Sequence, residues 1–138
     1  MVLRRETKAR ARALQILYAW DVSGRPPIHD VVHHLLAGNA RCTRAIEAGE
    51  PLALGVVSRL DELDAEIAEA ARHWRMERIG VVERNVLRLA LYELLALSVP
   101  PKVAINEGVR LTHWFAGEHA APFVNGVLDG LARKAGRL

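Results

Sequence analysis

One cysteine, Cys42, is all the thiol chemistry in this chain, so no internal disulfide can staple it and nothing points to an oxidising compartment. Aromatic residues make up only 5% of the sequence, and no stretch alternates apolar and polar residues over the length of a strand, which removes the usual signature of a sheet. No apolar run approaches the roughly 20 residues that cross a bilayer. The apolar segment nearest the start is broken by Gln15 and Asp21, unlike the h-region of a secretory signal. The Arg-rich start has the amphipathicity of a transit peptide but carries Glu6 and almost no serine. Glycine-rich phosphate loops, nucleophile elbows and HExxH patterns are also missing. These gaps argue against an enzyme, a membrane protein or a cofactor carrier, and make the cytoplasm the default setting.

What is present is helical periodicity. With 138 residues, 51% hydrophobic and 25% charged, the chain has the length and composition of one globular domain. A first helix is expected from Arg4 to Asp21, stopped before Gly24 and barred from continuing by Pro26 and Pro27. A second fits Ile28 to Ala37, ended by Gly38, and Asn39 to Gly49 forms a short helix or loop. Pro51 suits the first position of a long helix whose apolar residues Leu52, Val56, Leu60, Leu63, Ile67, Ala70 and Trp74 make one core stripe. Its other side, with Asp61, Glu62, Asp64, Glu66 and Glu69, reads as a solvated face. Further helices are expected over Val81 to Leu97, Val103 to Phe115 and Pro122 to Lys134. The expectation is an all-α, single-domain bundle of six or seven helices with short connections.

Charge is unevenly placed. Arg4, Arg5, Lys8, Arg10 and Arg12 stand against Glu6 alone in the first twelve residues, a local balance of +4 in a chain of net charge +3. The remainder therefore sums to −1, and the excess at one end suggests a grip on a polyanion. At 100° per residue, Arg4, Lys8, Arg12 and Gln15 share a sector of about 80°, with Arg5 at its edge and Tyr18 on its flank. Ala9, Ala13, Ile16, Leu17 and Trp20 lie opposite, and Arg10 sits nearer the apolar border. Cations for phosphates, an amide for base edges and a flat ring for stacking are what a single-stranded nucleic acid requires. The same residues also suit a plain solubilising helix with Tyr18 capping the core. Positive charge in a first turn opposes the helix dipole, so local helix stability does not explain the cluster.

Other chemistry is sparse. His29 and His33 are four apart and begin a metal pattern, but only Cys42 is near and a third ligand at convincing spacing is missing. His73, His113 and His119 are scattered. Asn125-Gly126 resembles a hairpin turn, yet it lies between Phe123 and Val127 in a helical pattern, which favours a polar role for Asn125 on a helix.

Three strings go beyond composition: ERNVLRLALYELL at 83–95, VPPKVAINEGVRL at 99–111 and PFVNGVLDGLAR at 122–133. With ARALQILYAW at 11–20 and HWRMERIG before Glu83, the chain resembles the NusB family of transcription antitermination factors; the stretch from Gly24 to Pro51 carries no part of the likeness. The resemblance implies an all-helical protein without catalysis or cofactor. It also implies binding of single-stranded boxA RNA in nascent ribosomal RNA transcripts, a heterodimer with the ribosomal protein NusE, and assembly with NusA, NusG and RNA polymerase. Position by position, it assigns RNA binding to Arg4, Arg5, Lys8, Arg10, Arg12, Gln15, Tyr18, Phe123 and Asn125, and partner-protein binding to Glu83, Arg84 and Arg88. Leu87, Leu89, Leu91, Leu94 and Leu95 read as packing residues, and Phe123 fits a core position as well as a binding one.

Departures from the family pattern are few. Glu6 and Thr7 interrupt the arginine cluster, His119 stands in a loop position that is often acidic, and Gly108 replaces an alanine, at about 1 kcal/mol of helix propensity unless close packing requires it. Two rival functions remain open: the NusB-like domain of a ribosomal RNA cytosine methyltransferase, against which stands the lack of a strand-rich cofactor domain before Leu138, and a helical adaptor that touches only protein. An apolar helix face serves a homodimer as well as a heterodimer.

Overall fold

Periodicity of 3.6 residues is realised throughout the computed structural model, which describes residues 4–37, 43–74 and 79–138. The helices are α1 (Arg5–Val22), α2 (Ile28–Ala37), α3 (Thr43–Ser58), α4 (Leu60–Ala70), α5 (Val81–Ala96), α6 (Pro101–Phe115) and α7 (Ala121–Lys134), with a 3₁₀ turn at Glu118–Ala120. Among the described residues there is no strand, so the chain is all-α. The helices group into two compact units, Met1–Ser58 and Arg59–Leu138, each with its own core.

In the first unit α1 is buried along one side. Ala13, Leu14, Ile16, Leu17 and Trp20 are at most 3% exposed, and they pack against α3 and α2. From α2 come Ile28, Val31 and Val32, all buried. α3 approaches α1 most closely at Gly49, where an added Cβ would lie 2.5 Å from the Ala13 nitrogen and 2.8 Å from the Arg12 carbonyl carbon. Those neighbours are backbone and cannot turn aside, so only glycine fits. α1 ends where Gly24 and Arg25 both take positive φ, 89° and 63°. The strained Arg25 is held by its N–H donating to the Trp20 carbonyl (2.9 Å), by Nε on Asp21 Oδ1 (3.2 Å) and by its guanidinium 5.0 Å over the Trp20 ring.

The second unit is built around α5, which packs against α4, α6 and α7. Val86, Leu87, Leu89, Leu91 and Leu94 are buried, while Leu95 is half-buried. Inside this apolar surround sits Arg88, 1% exposed. Its Nε and Nη2 donate to the two carboxylate oxygens of Asp64 at 2.7 and 2.9 Å, and its Nη1 donates to Asn85 Oδ1 at 2.9 Å. Asn85, itself fully buried, donates through Nδ2 to the Val81 carbonyl at 2.9 Å. A planar fork on both oxygens of a carboxylate is the geometry that makes a buried arginine tolerable. Arg137 closes the far end of α5, donating to the carbonyl of Leu94 (2.6 Å), one of the groups a helix terminus leaves without an intrahelical donor, and to that of Val99 (3.3 Å) in the connection beyond it. Gly108 of α6 does meet a packing demand: a Cβ there would come within 2.8 Å of Leu128 Cδ1 on α7.

Three expectations require correction. Pro51 does not start a helix; it lies exposed inside α3, where its missing N–H removes one backbone bond, because burial of Ile46 and Gly49 carries the helix further upstream. The continuous stripe to Trp74 breaks at Arg59, whose φ of −123° and ψ of 23° leave the helical region. There the Ser58 hydroxyl donates to the Gly55 carbonyl at 2.7 Å, a local bond that competes with the helical ladder. Trp74 therefore lies beyond α4 and is 56% exposed. Nor is the acidic side wholly solvated: Asp64 holds Arg88, and Glu66 Oε2 lies 3.1 Å from Lys134 Nζ. Of Asn39 to Gly49, residues 39–42 lie outside the described residues and the rest belongs to α3.

Two stability measurements test these contacts. Gly49→Ala forces two backbones apart and is expected to lower unfolding free energy by about 2–3 kcal/mol in urea titration, whereas Gly130→Ala, with no atom within 4 Å of the new carbon, gains about 0.5–1 kcal/mol. Asp64→Ala strands the Arg88 guanidinium and costs about 2 kcal/mol, less than for a fully buried pair because the Asp64 side chain is 32% exposed. Adding Arg88→Met to Asp64→Ala restores much of that loss.

Candidate nucleic-acid interface

The rotation that buries Leu14 and Leu17 turns the cations of α1 outward. Arg4, Arg5 and Lys8 are exposed, Arg12 and Gln15 are half-buried, and Tyr18 is 45% exposed. Arg12 Nη1 donates to Gln15 Oε1 at 2.8 Å, which fixes both side chains and leaves the Gln15 amide N–H groups as donors on the same face. The N-terminal turn forms without a side-chain cap on Arg4, and the Lys8 N–H donates to the Arg4 carbonyl at 3.1 Å. Glu6 is the sole acid in that turn.

Two residues of the cluster turn the other way. Arg10 is only 8% exposed and Thr7 1%, so neither belongs to the outward surface. For Arg10, expected at a phosphate, α1's rotation places the side chain on the packed side. The same rotation means that Thr7 does not dilute the exposed cluster. The outward set is Arg4, Arg5, Lys8 and Arg12, continuing into Gln15 and Tyr18.

A second concentration of aromatic and titratable side chains lies in the unit Arg59–Leu138. Trp74 and Phe123 meet edge to face, ring centroids 4.8 Å apart at 79°, beside a cleft of about 550 Å³ also lined by His73, Gly80, Glu83 and His119. Glu83 folds its carboxylate over Gly80, at the N-terminal turn of α5, where negative charge is favoured by the helix dipole. Phe123 is half-buried, neither a sealed core residue nor a free one, and Asn125 is exposed on α7.

The expected partner-protein residues separate. Glu83 and Arg84 are half-buried. Arg88, expected at a partner protein, is enclosed at 1% exposure and bonded to Asp64 and Asn85. Trp74, His73 and His119 were not anticipated at this cleft. For His73 and Trp74 the only signal was the HWRMERIG string itself, because helical periodicity assigns Trp74 to a core stripe that the break at Arg59 dissolves, and for His119 it was the departure from the family pattern at that loop position. Of the His29–His33 pair, which the sequence already leaves short of a third ligand, His29 Nδ1 lies 3.7 Å from Glu50 Oε1; Cys42 lies outside the described residues, and no group of three or more metal-ligating side chains occurs among the described residues. No helix among them is long and apolar enough to cross a membrane.

Comparison with known proteins agrees with this picture. The sequence model of the NusB family matches residues 7–133. The transcription antitermination protein NusB of Solibacter usitatus is 39% identical over 135 residues, covering 92% of this chain and 88% of that protein. Its counterpart from Anaeromyxobacter sp. strain Fw109-5 is 42% identical over 129 residues, with 93% and 90% covered. Among solved structures, NusB from Aquifex aeolicus in solution superposes with a TM-score of 0.81 at 32% identity, over 95% of this chain and 89% of that one. A crystal structure of the antitermination factors NusB and NusE in complex with double-stranded RNA matches with a TM-score of 0.76 at 33% identity, over 96% and 99%. A helical chain with this arrangement, matched by the family's sequence model over nearly its whole length, belongs to the NusB family.

Proposed function

We propose that this chain is a non-enzymatic, cytoplasmic transcription antitermination factor that binds boxA-type single-stranded RNA of nascent ribosomal RNA transcripts together with the ribosomal protein NusE. NusA, NusG and RNA polymerase complete the assembly in which it acts. The observation that carries the reading is the outward face of α1, where Arg4, Arg5, Lys8 and Arg12 lead into Gln15 and the exposed ring of Tyr18. Cations neutralise phosphates, and an exposed ring in line with them stacks an unpaired base, a combination that a purely solubilising face does not need. Phe123, Asn125 and the neighbouring Trp74 supply a second aromatic and amide surface for the same RNA, and Glu83 and Arg84 are proposed contacts for the protein partner. The relatives support the coarser reading too: those compared are antitermination proteins, and one structural neighbour carries both NusE and double-stranded RNA.

Titration of boxA RNA against the protein, with and without NusE, tests this reading. Neutralising about four phosphates gives a slope of log affinity against log salt near −3. Reversing charge at Arg4, Lys8 and Arg12 flattens that slope and weakens binding, while unchanged RNA binding by that triple variant would point to an adaptor that touches only protein. Affinity equal for scrambled RNA, with NusE present, would count against boxA as the ligand.

Tyr18→Ala is expected to cost about 1–3 kcal/mol of RNA affinity with little change in salt slope, because stacking releases no counterions. Tyr18→Phe retains most of the affinity. Parallel urea titrations separate this effect from instability.

A further inference from the structure

The cationic face of α1 does not end at Tyr18. At 100° per residue, Val22 lies in line with Arg4, about 20° from Gln15 and midway between Lys8 and Tyr18, which are about 80° apart. Val22 is 56% exposed, and with Tyr18 it forms one wall of a groove of about 500 Å³ whose other wall is the face of α2 that carries Asp30, Val31, His34 and Leu35. That volume falls within the range of about 300–1,000 Å³ usual for small-ligand clefts. Carbon dominates the lining, through Tyr18, Val22, Pro26, Val31 and Leu35, and the two ionisable groups in it are Asp30 and His34. These are four residues apart on α2, hence on one face of that helix, and both are exposed.

The groove continues the proposed RNA path, but its charge excludes the RNA backbone. A carboxylate accepts hydrogen bonds and donates none when ionised, and it repels a phosphate. What suits an apolar slot beside an exposed ring, with a carboxylate at its edge, is a base turned out of the strand. Of the four bases, guanine alone presents two adjacent N–H donors, N1–H and the N2 amino group, which match the two oxygens of one carboxylate. Uracil offers one N–H flanked by two carbonyls that Asp30 would repel; adenine and cytosine offer an amino group beside an acceptor nitrogen. A ring N–H of His34 can donate to the guanine O6.

We propose that this groove between α1 and α2 is a guanine-selective subsite, in which the base stacks on Tyr18 and its Watson–Crick edge is read by Asp30. The inference rests on the RNA-binding reading of α1 and deepens it: the cations supply affinity, and Asp30 supplies base identity.

The test uses the full chain and three short single-stranded RNAs at low salt: oligouridine, oligouridine with one central guanosine, and the same strand with inosine in its place. Inosine lacks only the N2 amino group. The guanosine strand is expected to bind about tenfold more tightly than either of the others, in keeping with the discrimination a good bidentate pair gives. Asp30→Asn, a change at an exposed position that leaves the folded chain intact, abolishes that preference while oligouridine binds at least as tightly and with the same salt slope as before. Equal binding of all three strands by the unaltered protein, with the salt slope retained, overturns the subsite and leaves the RNA-binding reading standing. A guanosine preference that survives Asp30→Asn overturns its assignment to this groove. Loss of salt-dependent binding to every strand overturns the α1 reading and the subsite with it.

Discussion

Contact between two backbones at Gly49 decides how α1 is displayed. Helix faces can in principle rotate against each other, but a crossing with no room for a single added carbon fixes one rotation. Once Ala13 and Arg12 are pinned against α3, the periodicity of α1 does the rest: Leu14, Leu17 and Trp20 go inward, and Arg4, Lys8, Gln15 and Tyr18 go outward. The chemistry of the outward face is thus a consequence of packing on the opposite one. The positive-φ turn at Gly24 and Arg25 then brings α2 back beside the end of α1, which creates the groove below Tyr18.

In the other unit the organising contact is polar. Arg88 sits within an otherwise apolar helix and is satisfied by a carboxylate from α4 and an amide from its own helix. Such a network specifies geometry more than it adds stability, because desolvation offsets much of the Coulombic gain. It holds α4 against α5 in one register. The end of α4 leads towards Trp74, and the start of α5 holds Glu83 over Gly80, so the two sides of the cleft near Phe123 follow elements that this pair clamps.

Much of this was legible beforehand. The bounds of α2 and α5, the basic sector of α1 and the inward-facing leucines of α5 follow from a 3.6-residue period and helix-breaking Gly and Pro. The less legible parts share a cause. Pro51 is a start signal by local propensity, but burial of α3 against α1 outweighs it. Nothing as emphatic as glycine or proline marks the break at Arg59, so Trp74 beyond it is assigned to a core stripe that it does not join. Arg88 is an ordinary exposed cation by residue type; only a carboxylate 24 residues earlier makes its burial possible.

The sequence by itself determined the class of the fold, its family and the sign and place of its charge, because these reside in local periodicity, motif order and composition. Tertiary structure decided which of five clustered cations face outward, that Arg88 is internal, and that Trp74 joins Phe123 at a cleft. Those outcomes depend on contacts between helices distant in sequence, where the room for one carbon at Gly49 or the reach of one carboxylate at Asp64 chooses between arrangements that local signals leave equivalent.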